Sequence, residues 1–220
     1  MNIWLARIFP LACLCIAVLF GIAAYRKQCG GPVRLMVWLA AFVFAYEAAG
    51  HYLGYHHNNN LWLYNFATLC WVTGICYYYH SVLKSRGFRS VVRILAAAYF
   101  LISLPLACIY TFSSEGLNTP GITAGGVLVI ICSLMYLLEQ NKTDTTESFF
   151  RNPHYFFSIA FILYFAMLIF MNGMYNFLLE NYISDGLSQF IIYLPIFTSF
   201  LYNVFISLGF ICCLRNTKYT

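Results

Sequence analysis

Glu47 and His51 stand four positions apart in an otherwise apolar stretch, and they are the first candidates for chemistry. Residues four apart share one face of an α-helix, so these two side chains can form a hydrogen bond. A carboxylate inside a hydrocarbon layer is costly unless it is paired, protonated or hydrated. The sequence therefore predicts a ligand or proton site here, and the alternative is a hydrogen-bonded pair that only fixes helix packing.

Three asparagines, Asn65, Asn172 and Asn176, lie near the ends of other apolar stretches. If the helices form a bundle, these side chains can join Glu47 and His51 in lining an outward-opening polar cavity. We predict a ligand or proton site made of these five residues, with no cofactor. Metal binding by His51, His56 and His57 is a weaker alternative, and we predict no metal site, because irregularly spaced loop histidines are more often surface groups.

The composition of the chain predicts the secondary structure that positions these residues. Hydrophobic residues make up 62% of the 220 positions and charged residues 9%, whereas soluble domains carry roughly a quarter charged residues. The uncharged runs approach or exceed the ~18 to 20 residues that a helix needs to cross a bilayer. Backbone groups in lipid must be satisfied internally, which favours helices. We predict an all-α fold, a single domain over residues 1–220, with seven transmembrane helices at 8–25, 35–53, 61–83, 94–112, 122–138, 155–179 and 190–214.

The basic residues predict the direction of the spans. Apart from Arg7, every lysine and arginine falls in the first, third or fifth connection or in the C-terminal tail: Arg26, Lys27, Arg34, Lys84, Arg86, Arg89, Arg93, Lys142, Arg151, Arg215 and Lys218. Such residues mark the cytoplasmic side, so the N-terminus is expected outside and the C-terminus in the cytoplasm. Because these charges serve membrane insertion, the net charge of +5 does not indicate a nucleic-acid partner.

Missing motifs limit the function classes. A retinal protein needs a buried lysine, yet each lysine of this chain lies in a loop or at a span boundary. Gly-rich phosphate loops and nucleophile elbows are absent, and no aspartate falls within a predicted span. We therefore expect a protein that is not an enzyme. A small carrier built from two three-helix repeats and a linker helix stays open as an alternative.

Three segments carry a resemblance to a known family. The first combines Glu47 with an Asn-rich turn at residues 58–60 and the sequence Leu63-Tyr64-Asn65. The second is Asn152-Pro153, read as the N-cap and first turn of the sixth helix, followed by Tyr155-Phe156, Ala160 and Tyr164. The third is Asn203 in the last helix.

In these segments the chain resembles an uncharacterised seven-helix membrane family of Bacteroidetes-type bacteria, commonly encoded beside sensor histidine kinases. The family tends to carry a second glutamate in the third helix, where this chain has Cys70-Trp71. The resemblance implies a bacterial inner (cytoplasmic) membrane location and a sensory context.

The sequence thus favours a multi-pass inner-membrane protein acting as a non-enzymatic sensor or signalling accessory. Its expected partners are the lipid bilayer and a membrane signalling protein such as a sensor histidine kinase. The contact surfaces would be the basic segment 84–93 and the polar loop 141–152. The alternative function is a small-solute transporter that uses the same cavity, with Pro105 and Pro195 as hinges.

Overall fold

Seven α-helices form the described part of the chain in this computed structural model. The backbone is described for residues 3–27, 29–56, 60–112, 116–142, 151–180 and 185–215, and side chains for 8–27, 29–56, 60–112, 116–142, 151–174 and 193–215. The helices are α1 (Ile3–Arg26), α2 (Gly31–His56), α3 (Leu61–Val82), α4 (Arg86–Phe112), α5 (Thr119–Lys142), α6 (Pro153–Glu180) and α7 (Asp185–Arg215). The predicted all-α fold is confirmed.

Six of the helices are long and apolar enough to cross a membrane. They are α1, α2, α4, α5, α6 and α7, so the chain has the character of a multi-pass membrane protein. α3 has 22 residues, which is also long enough, but tyrosines, Asn65 and His80 make it less apolar than a lipid-facing span.

α3 is the central helix of the bundle. It packs against α2, α4 and α5, and its Trp71 and Tyr79 also contact side chains of α6. α7 packs against both α6 and α1, so the first and last helices are neighbours. Since protein surrounds much of α3, its polar side chains can find partners on other helices.

The two ends of the bundle differ in charge. Consecutive helices run in opposite directions, which brings the α1–α2, α3–α4 and α5–α6 connections to one end. We call this end the basic face, because it holds Arg26, Lys27, Lys84, Arg86 and Lys142. The α2–α3 and α4–α5 connections lie at the other end, which we call the opposite face.

Six of the seven helices extend beyond the predicted spans, and α3 ends one residue before its predicted end. Polar residues stabilise several of the extended ends. Asn152 is the N-cap of α6 as predicted, since its Oδ1 accepts a hydrogen bond from the His154 N–H at 3.0 Å. The Lys27 ammonium donates to the Leu214 carbonyl in the last turn of α7, where a cation is favoured by the helix dipole. Charge boundaries alone therefore underestimate helix length.

α4 begins eight residues before its predicted start, at Arg86, so most of the basic segment 84–93 is helical rather than a loop. The reason is a buried carboxylate on α5. Glu139 accepts hydrogen bonds from the backbone N–H groups of Lys84 at 2.8 Å and Ser85 at 2.6 Å. A carboxylate there supplies partners for N–H groups at the helix entry and complements the positive end of the helix dipole.

Replacing Glu139 with alanine is expected to destabilise the protein by about 1–3 kcal/mol, because two N–H groups at the entry of α4 lose their hydrogen bonds to a charged acceptor. The measurement is thermal unfolding of the purified protein in detergent. Asn141→Ala, an exposed substitution on the same helix, serves as the control. Equal midpoints for the two variants would contradict the role assigned to Glu139.

Candidate functional site

A cavity of about 820 Å³ lies in the half of the bundle next to the opposite face. Side chains of α1, α2, α3, α6 and α7 line it, and the α4–α5 connection and the start of α5 contribute Gly116, Leu117 and Thr119. Most of the wall is apolar, with a few polar groups among aromatic and aliphatic side chains. This is the usual composition of a small-molecule site.

Glu47 and His51 both line this cavity from α2. The Tyr64 hydroxyl of α3 donates a hydrogen bond to Glu47 Oε2 at 3.2 Å. The neighbouring helix thus holds the carboxyl group through a residue seventeen positions away. Residue spacing along α2 could not predict this contact. A carboxylate accepts several hydrogen bonds, so the contact with Tyr64 leaves Glu47 capacity for another donor.

Gly50 lets Tyr64 approach α2. A Cβ atom at this position would lie 2.5 Å from the Tyr64 hydroxyl oxygen, which is closer than two such atoms can approach. The Gly50 carbonyl also accepts a hydrogen bond from Asn60 Nδ2 at 2.8 Å. The small residue therefore permits the α2–α3 contact that holds Glu47.

Gly50→Ala is expected to displace Tyr64 from Glu47 and to destabilise the protein by about 1–3 kcal/mol through overpacking. Thermal unfolding in detergent measures this effect. Gly173→Ala is the control, since a Cβ at Gly173 meets nothing within 4 Å. A Gly50→Ala variant as stable as the control would show that the α2–α3 contact adjusts freely.

Four aromatic rings form one side of the cavity around Trp71. The Trp71 ring centroid lies 6.5 Å from that of Tyr46, 5.4 Å from that of Tyr164 and 6.2 Å from that of Tyr202. Tyr164 and Tyr202 are also in contact, at 5.0 Å between centroids. These rings come from α2, α3, α6 and α7, so the wall exists only when the four helices have packed together.

Two residues of the cavity wall carry buried polar atoms without a hydrogen-bond partner among the described residues: Trp71 Nε1 and Asn203 Oδ1. Each side chain is only 3% exposed. The amide nitrogen of Asn203 does have a partner, since it donates to the Ser199 carbonyl at 2.9 Å. An unpaired buried donor or acceptor costs about 1–3 kcal/mol. Both atoms are covered by neighbouring protein atoms, so a ligand in the adjoining cavity would pair with them once these two side chains turn towards it.

The three predicted asparagines have different positions. Asn172 lines the cavity, and its Nδ2 donates to Thr123 Oγ1 at 3.5 Å. Asn65 is not among the lining residues: it binds Thr111 and Gly116, and its Oδ1 accepts from the Asn118 N–H at 2.8 Å. Asn65 thus holds the α4–α5 connection at the rim of the cavity. The side chain of Asn176 lies outside the described residues.

Between the cavity and the basic face, the bundle is filled by large buried side chains. Tyr79 has its hydroxyl 2.8 Å from Ser133 Oγ and donates to Ser158 Oγ at 3.0 Å. Beside it, the Tyr78 hydroxyl lies 2.6 Å from His154 Nδ1. Phe161 is fully buried against both tyrosines, at 6.5 and 6.2 Å between centroids. We call these six residues the buried plug.

Sequence reasoning placed Glu47, His51 and Asn172 at the site but missed the aromatic wall. In the sequence, Trp71 was noted only because it lies where the resembling family carries a second glutamate. Tyr164 was noted only as part of the second segment of that resemblance. One sequence feature could have revealed the aromatic wall: both residues lie near the middle of predicted spans, too deep for an interfacial belt of aromatic residues.

The described residues contain no group of three His, Cys, Asp or Glu side chains arranged to hold a metal ion, and His57 lies outside them. Comparison with protein-family models, curated proteins and solved structures finds no match to this chain.

Proposed function

We propose that this protein is a non-enzymatic membrane sensor that binds a small molecule in the cavity and signals its presence at the basic face. The observation that carries the proposal is the pair of unpartnered atoms, Trp71 Nε1 and Asn203 Oδ1, on residues that line the cavity. Buried polar groups in folded proteins nearly always have partners. A ligand that draws these two covered side chains towards the cavity and supplies their partners would favour one packing of the surrounding helices over others.

The buried plug connects the cavity wall to the basic face through a series of side-chain contacts. Tyr202 of the cavity wall contacts Phe161 at 6.1 Å between centroids, and Phe161 contacts Tyr78 and Tyr79. Tyr78 then reaches His154 at the start of α6. Close-packed side chains cannot move independently, so a displaced wall residue would shift the ends of α3 and α6 at the basic face.

The membrane arrangement that suits this role has seven spans, with α3 crossing as the shielded central helix. The concentration of lysine and arginine at the basic face supports a cytoplasmic position for that face, with the cavity on the outer side of a bacterial inner membrane. A cytoplasmic or membrane signalling partner, such as a sensor histidine kinase, would then contact the basic residues around the start of α4.

The test is a quantitative pull-down of the tagged protein from gently solubilised native membranes, with a cavity-filling variant. Ser199→Trp places a bulky ring at the cavity wall, and Leu208→Trp places the same ring on the lipid-facing side of the same helix. We expect a signalling protein to be recovered with the wild type and with Leu208→Trp, and in an altered amount with Ser199→Trp. Recovery of the protein without a partner in all three samples would contradict the proposal.

Transport of a small solute is the second candidate, and one observation favours it. Pro195 interrupts the hydrogen bonding of α7 at the cavity wall, where a hinge would act on the site. Pro105, by contrast, is exposed on α4 and does not line the cavity. Transport also requires the buried plug to open. Uptake into proteoliposomes that is lost in Ser199→Trp but kept in Leu208→Trp would favour transport over sensing.

A further inference from the structure

Resting on the proposed binding function, we infer that the ligand is an amphipathic organic cation, an ammonium group carried next to an oxygen on an aliphatic body. Three independent properties of the cavity wall lead to this chemistry: its charge, its aromatic rings and its unpartnered polar atoms.

The charge of the wall selects for a cation. Glu47 is the one carboxyl group among the described residues that line the cavity. His51, one turn further along α2, is the one basic side chain among them, and neither a lysine nor an arginine occurs there. The Tyr64 hydroxyl occupies Glu47 Oε2 but supplies no positive charge. A half-buried carboxylate at this depth is stabilised by a cationic partner, a proton or water, and a cation bound in the cavity gives the strongest of these interactions. A ligand ammonium group would provide that partner, whereas a ligand carboxylate would meet Glu47 without compensation.

The aromatic wall adds to this preference. Tyr46, Trp71, Tyr164 and Tyr202 present four electron-rich rings on the same side of the cavity. An organic cation beside tryptophan or tyrosine is attracted by the ring quadrupole, and the attraction is strongest where water is excluded. Clusters of aromatic side chains with an acidic residue are accordingly suited to alkylammonium groups.

The unpartnered atoms indicate which polar groups accompany the cation on the ligand. Asn203 Oδ1 needs a hydrogen-bond donor, which an ammonium N–H provides, and Trp71 Nε1 needs an acceptor, which a hydroxyl oxygen provides. The remaining wall is aliphatic and includes Leu11, Leu14 and Met167. A volume of about 820 Å³ leaves room for a hydrocarbon chain against these side chains. The combination describes an amino alcohol with an aliphatic tail.

The experiment is isothermal titration calorimetry of the full-length protein in phosphatidylcholine nanodiscs. The probes are a medium-chain amino alcohol, the diol in which a hydroxyl replaces the amine, and the corresponding hydroxy acid. We expect the amino alcohol to bind about tenfold more tightly than the diol, a ratio typical of desolvated cation recognition, and the hydroxy acid not to bind. Glu47→Gln should reduce the ratio several-fold, leaving the preference that the aromatic rings supply, whereas Glu139→Gln, the same change at the basic face, should preserve it.

The outcomes separate the two proposals. Equal or tighter binding of the diol by the wild type would overturn the cation assignment while leaving a binding cavity. If no probe gives a heat of binding, either in phosphatidylcholine nanodiscs or in nanodiscs that contain ethanolamine lipids, the cation assignment and the proposed binding function are both overturned. Ethanolamine lipids that compete with the amino alcohol would support the same chemistry and identify a lipid headgroup as its source. The wild-type comparison decides the assignment even if Glu47→Gln fails to fold.

Discussion

Phe161→Ala is expected to lower the free energy of unfolding by about 3–5 kcal/mol, the range measured for large-to-small changes at buried phenylalanines. Phe161 is fully buried and joins Tyr202 of the cavity wall to Tyr78 and Tyr79 of the buried plug. Removing the ring leaves a void that surrounding helices cannot fill without moving. For a chain of this size the unfolding midpoint should fall by roughly 10 °C.

Leu163→Ala is the matched control, since Leu163 lies two residues further along α6 and is 38% exposed. Its loss removes apolar area that faces outward rather than a packed contact, so we expect only a small change in the midpoint. Thermal unfolding in the same detergent compares the two variants. Similar shifts for both would mean that the buried plug is not what holds the bundle together.

Reporter enzymes fused at the two ends of α3 should differ in activity, with full activity at one end and none at the other. If α3 crosses the membrane, alkaline phosphatase fused after Asn60 at the opposite face is exported and active, and the same enzyme fused after Lys84 at the basic face is inactive. Green fluorescent protein should show the reverse pattern. The prediction rests on the position of α3 inside the bundle and on the charge difference between the two faces.

A second fusion pair provides the comparison for a helix with ordinary apolar character. Fusions after Gly116 and after Lys142 bracket α5, which is apolar enough to cross a membrane. They should show the same contrast as the pair around α3. Equal phosphatase activity after Asn60 and Lys84, beside a clear contrast across α5, would leave only six crossings.

The helices were predictable because lipid-crossing segments need long apolar runs, and in this chain charges bound most runs, with His56, His57 and three asparagines separating the second run from the third. Their ends were less predictable: α4 starts at Arg86 because Glu139, more than fifty residues further along, holds its entry. A span boundary read from charge does not include the polar turn that continues the helix beyond the hydrocarbon. Long-range caps of this kind leave no pattern in the local sequence.

The site was predictable only in part. Glu47 stood out because an acidic residue is rare in an apolar run, and a helical period placed His51 on its face. Tyr64, Trp71 and Asn203 gain their roles from the packing of different helices. In lipid most helix faces are apolar, so periodicity does not indicate which face turns inward. Helix order was therefore the missing information.

The contact between α1 and α7 has a consequence for the order of synthesis. A ribosome makes α1 well before α7, so α1 must wait in the membrane until α7 has been made before it meets this neighbour. The cavity wall contains Leu14 of α1 and Asn203 of α7, so the cavity does not exist on a nascent chain that lacks α7. Such an intermediate exposes the cavity side of α1 and α6 to lipid or to an insertion chaperone until α7 arrives.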